Sequence, residues 1–350
     1  MDKGKMLLVS LGQGAGNIVD GLISKNPRYN GLFINSSLFD IKPLKNADMS
    51  KNVYLYPGTD GSGRDRNKSK EMILDNVNAI GTLLSKYLLT EVIVVFTTMA
   101  GGTGSGAIKT FIQIAKKVLP KAKINVVAIL PSLKEDELSF KNTLECWNDI
   151  NSIMDLINDV KFVDNNKRNT YREINNEVIE SLDLAYNITG IHSEGSIDNR
   201  DSLRINTAEG SGLVLKLYDG LMDAKTAVDL AIKNSVFVQP DTYDCDYLGI
   251  NLKIDGYDPY EVSKLFEVYR STYITYNNKN NIVVLGGCET PTEAIKLIKM
   301  ALDDKKKRKL SRNKRRSFII DLNSDSKDKK EEIDLSNSEF DDLLEDNFVV

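Results

Sequence analysis

Two short glycine-rich turns hold the residues of this 350-residue chain whose types and spacing best suit chemistry. The first reads GQGAGN over residues 12–17 and the second AGGTGSG over residues 100–106. Each follows an apolar run and precedes a helical pattern. Such a strand-to-helix turn presents free backbone N–H groups at a positive helix end, and glycine lets an anion approach closely. The plain alternative is tight packing of a strand on its helix, which needs glycine and no ligand. Two such turns on one parallel sheet favour a polyphosphate site. The other group is the acidic pair Asp198 and Asp201 in IDNRDS, residues 197–202. Carboxylates so spaced orient or deprotonate a water, or they simply cap the helix that follows.

Commoner nucleotide motifs do not fit. A Walker A loop needs lysine directly after its last glycine, whereas Lys109 comes three residues after Gly106. A Rossmann fingerprint starting at Gly12 meets Asn17 where its third glycine belongs, and the second expected strand ends in Asn35 rather than an acid. That disfavours an NAD-dependent oxidoreductase, the rival from a different class. Cys146, Cys245 and Cys288 lie far apart without metal-ligand spacing and read as reduced thiols. The single histidine, His192, cannot build a zinc cluster and lends little support to nucleophile–histidine catalysis.

Positioning the turns falls to strands expected at 6–11, 31–35, 52–56, 91–97 and 124–130. Helices are expected at 16–25, 69–86, 105–118 and 137–159. This alternation predicts parallel βαβ units. Runs such as VIVVF and INVVAIL, apolar on both faces, suit a sheet covered on both sides. A long helix follows at 171–189, with Ile174, Val178, Leu182 and Ala185 at helical spacing. Beyond the polar loop 190–202, GLVLKLY, YLGINLKI and NIVVLGG read as strands, and DAKTAVDLAIKN and PYEVSKLFEVYRSTY as helices. They form a smaller α/β domain. A final helix opens at TPTEAIKLIKMAL, with Thr290 as N-cap and Pro291 at its first position.

Hydrophobic residues at 41% allow a sizeable core. The net charge of −4 conceals a split: nine of the twelve residues 305–316 are basic, and 321–350 carries eleven acids against three lysines. Such an ending is a solvated tail or a partner-binding one, with Phe340, Leu343, Leu344 and Phe348 forming an apolar stripe on an induced helix. The sequence shows neither a leader pattern nor an apolar run of membrane-spanning length, so a cytoplasmic location is expected.

AGGTGSG resembles the signature loop of the tubulin/FtsZ superfamily, G-G-G-T-G-[ST]-G, with Ala100 in place of its first glycine. GQGAGN resembles the first phosphate loop of that family, and FINSS the strand end that FtsZ writes I-N-T-D. The similarity runs over roughly residues 6–301. The charged ending and the departures in the first and ribose loops resemble the plasmid- and phage-encoded TubZ branch, clostridial phage members in particular.

The resemblance implies a GTPase that forms filaments, using GTP/GDP and Mg2+, the metal held mainly through nucleotide phosphates. The expected fold class is α/β, with a parallel-sheet GTP-binding domain (1–170), a central helix (171–190), a smaller α/β activation domain (191–303) and a basic extension with an acidic tail (304–350). Gln13, Gly14 and Asn17 would contact phosphates and nucleotide, with Asn35 at the end of the FINSS strand. Gly101, Gly102, Thr103, Gly104 and Ser105 would cradle the β- and γ-phosphates. Gly58 and Gly61, in PGTDGSG, would belong to the loop that senses the γ-phosphate. Glu135 and Glu137 would flank the ribose, although FtsZ's Phe-Glu-Gly-x-x-Arg pattern is missing there. Asn165, in FVDNN, would hydrogen-bond guanine, and Tyr171 with Asn175 or Asn176 would stack on and bond the base.

Asp198 and Asp201 match the D-x-x-D of FtsZ's loop after the central helix, with Ser196 where the family has asparagine. A 19-residue helix spans roughly 28 Å. With its start at the purine, the acids lie at the opposite end of their own subunit and would act on a neighbour's nucleotide. Assembly would then activate hydrolysis. The partners implied are the chain itself, head to tail, and a TubR-like helix-turn-helix adaptor on a centromere, reached through the C-terminal tail. DNA association would be indirect, no membrane is involved, and a filament would segregate plasmid or phage DNA. The basic stretch 305–316 would meet DNA phosphates, the acidic tail, the adaptor or the adjoining subunit. An FtsZ-type division-ring GTPase is the alternative.

Overall fold

Runs rich in β-branched residues between turn formers become strands. Six of them are β1 (Met6–Leu11), β2 (Asn30–Asn35), β3 (Val53–Leu55), β4 (Val92–Thr98), β5 (Lys123–Leu130) and β6 (Asp159–Asp164). In this computed structural model, which describes residues 1–220, 223–277 and 279–316, they pair in parallel in the order β6-β5-β4-β1-β2-β3. The crossovers contain α1 (Gln13–Lys25), α2 (Leu38–Ile41), α3 (Arg66–Asp75), α4 (Val77–Leu84), α5 (Thr103–Val118) and α6 (Glu137–Asn151). All six residues of β1 are buried, and so is every residue of β5 after Lys123, as a sheet covered on both faces requires.

Next comes α7 (Tyr171–Tyr186), whose first turn is fixed by a capping box. Thr170 Oγ1 accepts from the Glu173 N–H at 3.2 Å, and the Glu173 carboxylate accepts from the Thr170 N–H at 3.0 Å. Ile174, Val178, Leu182 and Ala185 form its buried face, the stripe read from the spacing. At the other end the buried Lys3 ammonium donates to the Tyr186 carbonyl, suiting the negative helix terminus. The 16 residues extend about 24 Å.

An antiparallel hairpin, β7 (Gly190–His192) with β8 (Gly195–Ile197), occupies the expected polar loop and leads into α8 (Asn199–Asn206). The remaining elements are β9 (Gly210–Lys216), α9 (Ala224–Asn234), β10 (Cys245–Lys253), α10 (Pro259–Ser263), β11 (Val268–Asn277), β12 (Ile282–Cys288) and α11 (Thr292–Arg316). β9 joins β6 in parallel through two residue pairs, Asp159↔Gly210 and Val160↔Ser211. One mixed ten-stranded sheet results, in the order β11-β10-β12-β9-β6-β5-β4-β1-β2-β3. At that seam Lys161 Nζ meets Asp159 Oδ2 at 2.6 Å, both side chains almost wholly buried. The chain divides into two units, Met1–Lys306 and Lys307–Val350. The acidic stretch 321–350, with its four apolar residues, lies outside the described residues.

Several elements differ from expectation for local reasons. The helix expected at 69–86 breaks at Asn76, whose side chain donates to the Met72 carbonyl and accepts from Tyr54 Oη at 2.6 Å. The helix expected at 137–159 stops at Asn151, and its last residue begins β6. PYEVSKLFEVYRSTY is one short helix followed by a strand, because the β-branched and aromatic run from Val268 pairs with β10. The last helix begins at Thr292, not Pro291. Asp241, far back in the chain, accepts from the N–H groups of Thr292 and Glu293 at 3.2 and 3.3 Å.

Candidate functional site

β1 lies between β2 and β4, so the chain winds outward from it in both directions. Open α/β sheets bind ligands beyond the carboxyl ends of their strands at such a switch point. Here that crevice is framed by the first turns of α1 and α5, which the two glycine loops begin. A cleft of about 470 Å³ opens beside them, large enough for a nucleotide. Of the expected contacts, Gln13, Gly14, Asn17, Gly101, Glu135, Asn165, Tyr171 and Asn175 all line it.

The glycines fit by being small. A Cβ on Gly104 would stand 2.6 Å from Thr97 Oγ1 and closer still to the Leu11 carbonyl oxygen. A Cβ on Gly102 would stand 2.6 Å from both Cα and the carbonyl carbon of Arg64. These two positions therefore bring the loops against each other, whereas Gly14 and Gly101 face the cleft. Gly58 and Gly61 adopt positive φ (67° and 88°) in the loop 57–63, outside the cleft wall. That loop is moored by Gly61 N–H and Thr59 Oγ1, which both donate to the Ser36 carbonyl, at 2.7 and 2.8 Å.

Behind the wall three loops meet at hydroxyls. Thr103 Oγ1 lies 2.8 Å from Ser36 Oγ and 3.2 Å from Ser62 Oγ. Ser105 turns its buried hydroxyl back onto the Gly101 carbonyl, leaving its backbone as its contribution to the turn. Asn35 is buried and accepts from the N–H groups of Ser36 and Ser37 at 2.7 and 3.3 Å, so it shapes the strand end rather than the cleft wall.

The opposite wall is assembled from β5, β6 and α7. Glu135 accepts from Ser132 N–H at 3.0 Å and Tyr171 Oη at 3.1 Å through one oxygen, and from Ser139 Oγ at 2.8 Å through the other. Burial, with Glu135 alongside, pushes the Tyr171 phenol up. Asn166 accepts from Leu133 N–H at 2.9 Å and from Ser132 Oγ at 3.2 Å, joining the loop after β5 to the end of β6 and leaving Asn165 on the cleft. Asn175 lines this cleft, and Asn176 lines a separate one of about 600 Å³ beside Arg168 and Lys216.

Sequence reasoning missed Ser36, Ser62, Asn142 and Arg64. The buried Asn142 amide donates to the Arg64 carbonyl at 3.0 Å and to the Ala100 carbonyl at 3.1 Å, joining both loops to α6. The hydroxyls of FINSS and PGTDGSG were visible signals, whereas Arg64 and Asn142 had none.

Asp198 and Asp201 lie beyond the far end of α7, at the start of α8. They form a capping box: Asp198 Oδ1 accepts from the N–H groups of Arg200 (2.7 Å) and Asp201 (2.9 Å), and Asp201 Oδ2 from Asp198 N–H (3.2 Å). Those backbone donors hold the exposed Asp198 carboxyl below its usual range. Glu137 opens α6 and does not line the cleft.

A doubly flanked glycine crevice on a parallel sheet, followed by a long helix that carries the chain to an acidic turn, defines a nucleotide-binding α/β protein of tubulin type. Residues 5–170 match the model for the Tubulin/FtsZ family GTPase domain. The chain is 31% identical over 342 residues to the tubulin-like protein TubZ of Clostridium botulinum C phage, covering 96% of this chain and 94% of that protein. It belongs to the tubulin/FtsZ family and is a GTPase of the TubZ kind. The tail-truncated TubZ of Clostridium botulinum phage c-st superposes with a TM-score of 0.81 at 31% identity, over 88% of this chain and 100% of that one. The fold also matches a GTPγS-form protofilament of TubZ from Bacillus thuringiensis serovar israelensis, with a TM-score of 0.76 at 13% identity, covering 89% and 94%.

Proposed function

We propose that the chain polymerises head to tail and hydrolyses GTP at the contacts between subunits. The observation that carries this reading is the separation of two half-sites along α7. Tyr171, at one end, lines the cleft with Asn165 and Asn175, while Asp198 and Asp201 follow the other end, about 24 Å away along the axis. The cleft supplies the phosphate-binding turns and the purine contacts, residues 1–170 with the first turn of α7. The residues after 190 supply the acids to the next subunit's nucleotide. Both acids are candidates for orienting water: the two Asp198 bonds engage Oδ1 alone, while Asp201 accepts from Asp198 N–H through Oδ2 and pairs with Arg204 Nη1 at 3.5 Å through Oδ1. Backbone N–H groups of the two glycine turns would stabilise phosphate charge without reorganising.

Magnesium fits this arrangement through the phosphates. Among the described residues no cluster of three carboxylate, histidine or cysteine ligands is present. The Thr103, Ser36 and Ser62 hydroxyls meet behind the phosphate turns and are neutral groups an ion could use, and the ion would offset charge on the β- and γ-oxygens.

Head-to-tail assembly is supported by the protofilament and two-stranded filament forms of the Bacillus thuringiensis protein that shares the fold. The resemblance to the plasmid- and phage-encoded TubZ branch implies, beyond this, segregation of DNA through an adaptor bound by the C-terminal tail. No described helix is long and apolar enough to cross a membrane. Sedimentation with GTP, GDP or NAD, with phosphate release followed in parallel, tests the reading. Polymer and phosphate with GTP alone are expected, and phosphate release at a constant rate per subunit from below to above the assembly concentration would overturn interface hydrolysis. Deleting 321–350 should leave assembly intact and abolish capture of an adaptor–centromere complex.

A further inference from the structure

Arg64 is the one lysine or arginine among the residues lining the nucleotide cleft. A nucleoside triphosphate brings several negative charges into that space, and the only other ionisable groups on the wall are Glu135 and the Tyr171 phenol. The Arg64 guanidinium forms a two-pronged bond to Asp136, Nη1 to Oδ2 at 2.6 Å and Nη2 to Oδ1 at 2.9 Å, and Nη2 donates to Ser139 Oγ at 2.5 Å. Both side chains of the ion pair are about half exposed, at 43% and 58%, so water and anions reach it.

The backbone beneath is unusually constrained. Arg64 is the single non-glycine residue with positive φ (65°) among the described residues. Its carbonyl accepts from the Asn142 amide, and its Cα rests where a side chain on Gly102 would be. The Arg64 side chain therefore springs from the point where the loop 57–63 touches the signature loop.

We propose that Arg64 is a specificity-determining residue that grips the terminal phosphate of the bound nucleotide, giving up Asp136 to do so. This rests on the nucleotide reading above and adds to it the group that distinguishes triphosphate from diphosphate. A phosphate offers the same two-oxygen geometry as the Asp136 carboxylate with more charge, so the exchange replaces both bonds to Asp136 and gives up the one to Ser139 Oγ. Asp136 remains useful after release, because it caps α6 by accepting from Ser139 N–H at 2.9 Å. The pair therefore acts as a resting place for the arginine, and its exchange transmits the presence of the last phosphate to the loop through the Arg64 backbone.

The test is equilibrium binding of GTPγS and of GDP to the full chain, held below its assembly concentration. Arg64→Ala should weaken GTPγS about tenfold while moving GDP by less than about twofold, the loss of one charge-assisted pair. Arg64→Lys, which keeps the charge without the fork, should fall between. Asp136→Asn preserves a good N-cap and frees the arginine, so it should tighten GTPγS about threefold relative to GDP. Equal weakening of both nucleotides by Arg64→Ala, with unchanged melting, would show that the arginine only shapes the cleft and overturn the inference. An unchanged nucleotide ratio in Asp136→Asn would overturn the exchange. A parent chain that binds neither nucleotide would instead remove the reading on which the inference stands.

Discussion

Gly104→Ala separates the role of the signature turn in folding from its role in holding phosphate. The new methyl would lie 2.6 Å from Thr97 Oγ1 and nearer still to the Leu11 carbonyl, where an ordinary contact needs at least 3.4 Å. The Leu11 carbonyl belongs to a central strand buried on both faces, so the start of α5 must give way, by about 1 Å. Overpacking of this size costs about 1–3 kcal/mol. Alanine inside a helix recovers about 1 kcal/mol over glycine, and a net loss of about 0–2 kcal/mol leaves most of the fold intact. A 1 Å displacement of groups aimed at the reacting phosphate lowers turnover about 100-fold. The variant should therefore melt within a few degrees of the parent while GTP turnover at saturating subunit concentration collapses. Turnover within about threefold of the parent, with the variant folded, would refute the claim that this turn positions phosphate. A loss no larger than the unfolded fraction would refute it equally.

Three other outcomes follow from the geometry. Asp201→Asn retains an acceptor for the Asp198 N–H, so filaments should still pellet while turnover falls about 100-fold or more, and undiminished phosphate release would remove Asp201 from the chemistry. Lys161→Met strands the buried Asp159 carboxylate, whose other oxygen has no partner; it should cost about 3–5 kcal/mol in a denaturant titration, most of it recovered by adding Asp159→Asn. Burial lowers the Lys3 ammonium to about 8, so between there and its unfolded value the unfolded chain binds more protons and stability rises with pH. Lys3→Met should flatten that rise in melting temperature across about pH 8–10, and an unaltered slope would contradict the assignment.

Where pattern and chemistry coincide, the sequence was informative. Glycine turns behind strands apolar on both faces located the crevice, because close approach of backbone admits few residue types. The α7 stripe was legible because its burial repeats at the helical period. What escaped notice depends on partners remote in the chain. Asp241 starts α11 from some fifty residues away, Tyr54 and Asn76 interrupt a continuous helical pattern, and β11 is a strand because β10 is there to pair with it. Arg64 belongs to the same class: nothing in GSGRDR tells that its side chain reaches α6 and the cleft. For Asp198 and Asp201, the capping geometry and the catalytic hypothesis coexist, since a cap that orders the turn also fixes the direction of the second carboxylate.

The junction of β6 with β9 has a bearing on how the two halves of the sheet find each other. Two residue pairs specify register weakly, and a slip by one residue would turn β9 inside out. The Asp159–Lys161 pair removes that freedom. A Cβ on Gly212 would sit 2.5 Å from Lys161 Nζ and also against Asp159 Oδ1, so only a residue without a side chain can lie beside the pair. Its neighbours Ser211 and Leu213 cannot take that place. The ion pair and the glycine thus behave as key and notch, favouring a single alignment of the strand that follows the acidic turn.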